Sequence, residues 1–134
     1  MKEQRDLVQG LLRKAESDLN ALEGVLSTGA MDAACFHAQQ AAEKFLKAFL
    51  TFSKTEYPFT HNLSKLVELC VGRDPSFQSL MALVEPLTPY AVELRYDHDF
   101  WPSGDTADEA RHAALAVKRF VLERLPAEWT TGRV

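Results

Sequence analysis

Several residue types and patterns are scarce in this 134-residue chain, and each scarcity excludes a class of protein. Two cysteines, six glycines and six prolines are too few for a disulfide-stapled scaffold or a disordered chain, and they suit a helical domain. No apolar run approaches the eighteen or so residues of a membrane-spanning helix. The length allows one domain with its own core but not two comfortable ones.

Basic residues are not in excess either. Fifteen Lys and Arg stand against nineteen Asp and Glu, for a formal charge of −4. Since proteins that bind nucleic acid by bulk charge neutralise several phosphates, this balance disfavours a broad nucleic-acid binder. Residues 1–54 are neutral, residues 55–110 carry −7 and residues 111–134 carry +3. The acidic centre is therefore a candidate surface for a basic partner protein.

The cysteines and the first residues predict a cellular location. Cys35 and Cys70 lie inside helical patterns without a CxxC partner, which is typical of reduced, buried thiols. Residues 1–6 lack the apolar core of a signal peptide. We therefore expect a cytoplasmic protein that makes no membrane contact.

The first half of the chain predicts two long helices, because its apolar residues recur at spacings of three and four. The first helix runs to about Leu26 and Gly29 stops it, and Asp32 is placed to cap a second helix that continues to about Phe52. The alanines and phenylalanines of the second helix form a wide apolar arc. We therefore expect it to be packed on more than one side.

The middle of the chain predicts two further helices. A short one lies between Thr60 and Gly72, and Asp74-Pro75 is a start signal for a fourth. Pro86 and Pro89 are expected to kink or restart that fourth helix.

The last helix begins, on this interpretation, at a capping box formed by Thr106 and Glu109, and it ends before Pro126. No strand pattern or repeat is present. The sequence thus predicts an all-α protein, an antiparallel bundle of four to five helices. Residues 1–126 form the single domain, and residues 127–134 form a short, loose tail.

One face of the second helix carries polar side chains at steps of three and four, namely His37, Gln40, Lys44, Lys47 and Thr51. An ordinary solvated face would explain them. Because the opposite arc is so wide, the face could instead line a groove or a subunit interface. On that second interpretation His37 and Gln40 line the groove and the two lysines contact phosphate.

A second polar cluster follows the fourth helix. Arg95 has a planar fork suited to phosphate, and His98 can exchange protons near neutral pH. A base could stack on the neighbouring rings, which belong to Tyr96, Phe100 and Trp101. Alternatively, Arg95 pairs with Asp97 or Asp99 while the rings plug the end of the bundle.

A third cluster, Thr60-His61-Asn62, precedes the short third helix. Free backbone N–H groups at a helix start attract anions, and His61 could assist there. A simple capping role for Thr60 or Asn62 is the alternative.

The common catalytic motifs are missing. A single Glu109-x-x-His112 pair does not suffice for a di-iron bundle, which needs two copies and two more glutamates. Nucleotide-binding glycine loops and zinc or hydrolase signatures do not occur, and the four histidines lack metal-ligand spacing. No metal or cofactor is predicted.

Taken together, these residues resemble the HEPN domain, a small helical family associated with nucleotide and RNA chemistry. The resemblance rests on four stretches in family order, which are residues 15–19, 36–48, 60–63 and 94–96. The most specific part is the string Gln-Ala-Ala-Glu-Lys-x-x-Lys-Ala at residues 40–48.

The resemblance implies a four- or five-helix bundle, commonly paired into a homodimer around the second and later helices. It also implies two roles. Many stand-alone members pair with a minimal nucleotidyltransferase, often as a toxin–antitoxin module, and others are metal-independent ribonucleases with an Arg-x4–6-His motif.

This sequence departs from the ribonuclease motif, because only two residues separate Arg95 from His98. The favoured hypothesis is therefore a nucleotide- or RNA-associated binding module that acts with a nucleotidyltransferase. Lys44, Lys47, His61 and Arg95 are its anion contacts and Tyr96 lines its groove. A ribonuclease toxin that uses Arg95 and His98, and a purely structural bundle, are the alternatives. The sequence names neither the nucleotide nor the partner.

Overall fold

The computed structural model describes residues 3–130, and within that range the chain is helical with no strand. Three helices are long: α1 (Gln4–Thr28), α2 (Met31–Phe52) and α5 (Gly104–Leu122). Three are short: α3 (Leu63–Val71), α4 (Met81–Val84) and α6 (Ala127–Thr130). Two 3₁₀ segments, Pro75–Leu80 and Glu85–Tyr90, flank α4. No helix within residues 3–130 is long and apolar enough to cross a membrane.

Helix α2 lies at the centre, because it packs against α1, against α5 and against α3. Its buried residues are Ala34, Cys35, Ala38, Gln39, Ala41, Ala42, Glu43, Phe45, Leu46, Ala48, Phe49 and Leu50. The alanines let neighbouring helices approach closely, and the phenylalanines fill the space beyond them, as where Phe49 and Phe77 meet with ring centroids 4.4 Å apart. The prediction of a helix packed on more than one side is confirmed.

Helix α1 runs antiparallel to both α2 and α5. Gln4 at the start of α1 donates to the carbonyl of Thr51 at the end of α2. Lys118 of α5 pairs with Glu16 of α1, and Arg111, two turns earlier on α5, pairs with Glu23, two turns later on α1. The predicted all-α bundle is confirmed.

The predicted fourth helix is wrong as a regular α-helix, although the interruption expected at Pro86 and Pro89 is present. The chain makes a 3₁₀ turn, one turn of α4 and a second 3₁₀ turn before Tyr90. Pro86 and Pro89 lack backbone N–H groups and so prevent a regular α-helix there. Asp74 does cap the start of this segment, as predicted, by accepting from the N–H of Ser76.

Two predicted helix caps are also wrong. Helix α2 is preceded by Ala30, and Asp32 lies within its first turn, where a carboxylate still favours the positive end of the helix dipole. Helix α5 begins a residue before Asp105, and Ser103 caps it by accepting from the N–H of Thr106.

The prediction of a loose tail is wrong for residues 127–130. Trp129 of α6 packs edge-on against Phe52, with centroids 5.3 Å apart. Gln9 and Arg5 of α1 donate to the carbonyls of Trp129 and Glu128. The division into a domain at 1–126 and a tail stays a prediction, and residues 131–134 lie outside the described part of the chain.

The turn between α1 and α2 depends on Gly29, as the sequence predicts. Gly29 adopts φ 82°, in the left-handed region, and its N–H reaches back to the carbonyl of Leu26. Such a residue ends a helix at little cost only when it has no Cβ.

We therefore expect Gly29→Ala to lower the free energy of unfolding by about 1 kcal/mol. The matched control is Gly24→Ala, on the exposed surface of α1, where an added Cβ would meet no atom within 4 Å. It should raise the free energy of unfolding by about 0.5–1 kcal/mol. Urea unfolding monitored by circular dichroism measures both, and equal effects of the two substitutions would contradict this assignment.

Candidate functional site

The polar face of α2 is not an open solvated surface. Asp18 of α1 accepts from His37 Nδ1 at 2.9 Å and from Lys44 Nζ. The exposed fractions of these two α2 side chains are only about a quarter, and Asp18 itself is 13% exposed. Helix α1 therefore supplies the counter-charge to the first half of this face.

Glu43 organises the second half of the face, from an almost fully buried position. One of its oxygens accepts from Gln39 Nε2 at 3.0 Å and from His61 Nδ1 at 2.8 Å. The other accepts from Lys47 Nζ at 2.9 Å. Burial alone raises the pKa of the Glu43 carboxyl, but the hydrogen bonds from Lys47, His61 and Gln39 outweigh burial and hold that pKa below its usual value.

Two adjacent amides join the halves into one chain of hydrogen bonds. Gln40 accepts from Lys44 at 3.4 Å and donates to Gln39 Oε1 at 2.6 Å. The Gln39 amide, fully buried, then donates both to Glu43 and to the backbone carbonyl of His61. The buried carboxylate and the two amides thus all have hydrogen-bond partners, as buried polar groups require.

This chain ties the loop before α3 onto α2. His61 is held through its ring and through its carbonyl, and Asn62 caps α3 by accepting from the N–H of Lys65. The alternative in which Asn62 caps α3 is therefore confirmed. Lys47 also lies over the rings of Tyr57 and Phe59, at 5.6 and 5.9 Å from their centroids.

Three predicted anion contacts, Lys44, Lys47 and His61, therefore already have carboxylate partners inside the chain. A phosphate at any of them would have to compete with a carboxylate that is already in place. Their role as anion contacts stays a prediction, and the geometry favours a different cation.

That cation is Arg95, in the turn that follows the second 3₁₀ segment. Its side chain is exposed and its guanidinium carbon lies 4.0 Å from the ring centroid of Phe36 on α2. The ring of Tyr96 lies 5.6 Å away. Within residues 3–130 Arg95 makes no ion pair, so the alternative in which Asp97 or Asp99 neutralises it is wrong.

Arg95 lines a shallow hollow of about 240 Å³ at the end of the bundle. The other lining residues are Asp32, Leu94, Tyr96, Asp97, His98, Phe100 and Trp101. Phe100 stacks on Tyr90, but Tyr96 and Trp101 are three-quarters exposed. Two of the three rings therefore face solvent and do not plug the bundle.

His98 joins Arg95 in this hollow, whereas His37 and Gln40 belong to the polar chain described above. The His98 side chain is 93% exposed and its Nε2 lies 3.6 Å from Asp99. The Trp101 indole donates to the His98 carbonyl at 2.9 Å, which shapes the turn.

Sequence reasoning missed Asp18, Gln39, Glu43 and Phe36. Gln39 and Glu43 stand one helical turn apart among alanines, and that spacing was the available signal for a buried polar pair. No local pattern indicates that Asp18 faces α2 or that Arg95 rests on Phe36, since both contacts join separate elements.

Few described residues suit a metal, and the thiols are unreactive. Ligand atoms of Asp97, His98 and Asp99 lie within 4.8 Å of one another, all on exposed side chains that are chain neighbours. Cys35 and Cys70 are buried and unpaired, as predicted. Burial raises the pKa of Cys35 to about 11 and that of Cys70 to about 12, so both stay protonated near neutral pH.

These features define a class of protein: a small helical domain with a buried polar chain on its central helix and an arginine-bearing hollow at its end. A family model described as the HEPN domain matches residues 8–125. A crystal structure of an archaeal HEPN homologue matches with a TM-score of 0.69 and 25% identity, over 92% of this chain and 98% of that one. No curated protein matches. The chain belongs to the HEPN family.

The buried carboxylate makes a prediction about stability. Glu43→Gln should lower the free energy of unfolding by about 3 kcal/mol near neutral pH, because Lys47 loses its buried partner. Glu56→Gln, on an exposed loop side chain, is the matched control and should change it by less than about 0.5 kcal/mol.

The pH dependence tests the cause. Because the folded pKa of Glu43 is lowered, its stabilising effect is present above the ordinary value of 4.5 and is lost as pH falls through the folded pKa. The difference between the wild-type chain and Glu43→Gln should therefore shrink below about pH 4.5. Urea unfolding of both chains between pH 3 and 7 measures it, and a difference that grows in acid would contradict the assignment.

Proposed function

We propose that this HEPN protein is a nucleotide- or RNA-associated binding module of the cytoplasm. It forms a homodimer and acts with a minimal nucleotidyltransferase, as one half of a toxin–antitoxin-type pair. The observation that carries the proposal is the exposed Arg95, which makes no ion pair within residues 3–130 and lies beside two exposed aromatic rings.

Arg95 supplies the phosphate contact. Its guanidinium carbon lies 4.0 Å from the ring centroid of Phe36, and a guanidinium that stacks on a ring keeps its N–H edges for a ligand. A guanidinium edge can donate two parallel hydrogen bonds to a phosphate, which is among the stronger polar contacts in proteins.

Tyr96 and Trp101 supply the surface for a base. Both rings border the hollow and are exposed, so a base can stack on either without any rearrangement of the core. At about 240 Å³ the hollow is small, and the carboxylates of Asp32 and Asp97 in its lining repel an extended phosphate backbone. A mononucleotide or an RNA end therefore fits better than a long strand.

The test measures the binding of each of the four ribonucleoside triphosphates through the change in tryptophan fluorescence of the protein. Quenching is expected because Trp101 borders the hollow, whereas Trp129 packs against Phe52 elsewhere. Arg95→Ala should weaken binding at least about tenfold, as expected for loss of a charge-assisted contact.

Arg73→Ala is the matched control, since Arg73 is also exposed and lies outside the hollow. Equal affinity of the two variants would contradict the assignment of phosphate to Arg95.

The partner is tested by affinity purification of the tagged chain from its own cells. Recovery of a nucleotidyltransferase supports the pairing, and its absence together with a lack of nucleotide binding removes the proposal.

A ribonuclease is the second candidate, because Arg95 and His98 line the same hollow despite their short spacing. In this mechanism Arg95 stabilises the charge that develops on the phosphate, while His98 moves a proton at the 2′-oxygen. Both side chains are exposed in a turn, where the rigid spacing of a helix does not apply.

The ribonuclease candidate predicts RNA cleavage in the presence of EDTA. His98→Ala should then reduce the rate at least about a hundredfold, the usual size of a general acid–base contribution. His112→Ala is the matched control, an exposed histidine on α5 outside the hollow. Intact RNA at high concentrations of the wild-type protein, measured by gel electrophoresis, eliminates this candidate.

A further inference from the structure

A second concave surface shares no lining residue with the Arg95 hollow, although the two adjoin where Tyr90 of the second surface stacks on Phe100 of the hollow. This groove, of about 540 Å³, runs between α5 and the segment formed by α4 and the second 3₁₀ turn. Its apolar lining comprises Ala82, Leu83, Pro86, Leu87, Ala110, Ala113 and Ala116. Leu83 is 41% exposed, so apolar surface faces solvent here.

One carboxylate, that of Glu109, lines the groove, and further exposed carboxylates lie beside its lining residues in the sequence. Residues 85–110 contain seven acidic side chains and one basic side chain, Arg95. The seven acids are Glu85, Glu93, Asp97, Asp99, Asp105, Asp108 and Glu109, and all are exposed. Glu109 lines the groove itself, while Glu85, Asp105 and Asp108 are chain neighbours of lining residues. Among the described residues none of the seven pairs with a lysine or arginine.

We infer that this groove docks a basic amphipathic helix of a partner protein. The apolar floor takes aliphatic side chains spaced at three and four residues, and the acidic rim pairs with lysines or arginines that flank them. Nucleic acid is disfavoured because the rim repels phosphate. A second copy of this chain in a twofold arrangement would place the acidic rim near itself, which is unfavourable.

The inference is independent of the nucleotide proposal, because the groove and the hollow have separate residues. The probe is a fluorescent 14-residue peptide of leucine and lysine, patterned as an amphipathic helix. Its anisotropy with the full chain should show saturable binding that weakens as salt screens the charges. The double variant Asp108→Lys, Glu109→Lys should weaken binding at least about tenfold, and so should Leu83→Lys.

Glu56→Lys combined with Glu68→Lys is the matched control, because it makes the same charge change at exposed positions outside the groove. It should leave the affinity within about twofold. Circular dichroism confirms that each variant is folded, and Leu83→Lys tests the floor separately from the rim.

Three results would overturn the inference. The first is equal affinity of the rim variant and the control variant. The second is equally tight binding of a serine–lysine peptide of the same charge, which would reduce the interaction to bulk electrostatics. The third is an apolar dye that binds the groove while the peptide does not compete, which would assign the groove to a small ligand.

Discussion

The buried carboxylate of Glu43 is the constraint on which the polar chain of α2 and the loop before α3 depend. A charge on the central helix is tolerated only because Gln39, Lys47 and His61 all donate to it. Those three donors come from α2 itself and from the loop before α3. Satisfying the charge therefore fixes where that loop lies, and the loop in turn sets the start of α3.

The same constraint redistributes the basic residues of α2. Lys44 and Lys47 look available in the sequence, yet each balances a carboxylate that the fold has placed beside it. Their charge supports the packing of α2 against α1 and the loop. Arg95 differs because its neighbour is the ring of Phe36, which holds the guanidinium without neutralising it. The exposed cation of the site thus comes from a turn and not from the central helix.

The molecule separates its surfaces by charge and shape. The hollow at the end of the bundle combines one arginine with exposed rings. The groove beside α5 combines an apolar floor with the carboxylate of Glu109 and exposed acidic chain neighbours. Because Pro86 and Pro89 prevent a regular fourth helix, the chain crosses this side in short turns. Those turns form one wall of the groove and lead directly into the Arg95 turn.

Helix existence could be predicted well because it depends on local periodicity. The apolar spacing of α1, the wide arc of α2 and the left-handed stop at Gly29 are all properties of short windows. Helix starts were predicted less well. Ser103 caps α5, although the sequence also made Thr106 a suitable cap. Several nearby hydroxyl and carboxylate side chains can each act as the N-cap, and the packing of the helix against the rest of the bundle decides which one does.

By itself, the sequence determined that the chain is an all-helical bundle of the HEPN family. It also identified the polar residues that are candidates for a functional site. Only the tertiary structure decided which of those residues keep a free charge. The partner of a side chain on α2 lies nineteen residues away for His37 and twenty-six for Lys44. No local pattern encodes such pairs, because a charge is neutralised through space by whatever the fold brings within hydrogen-bond distance.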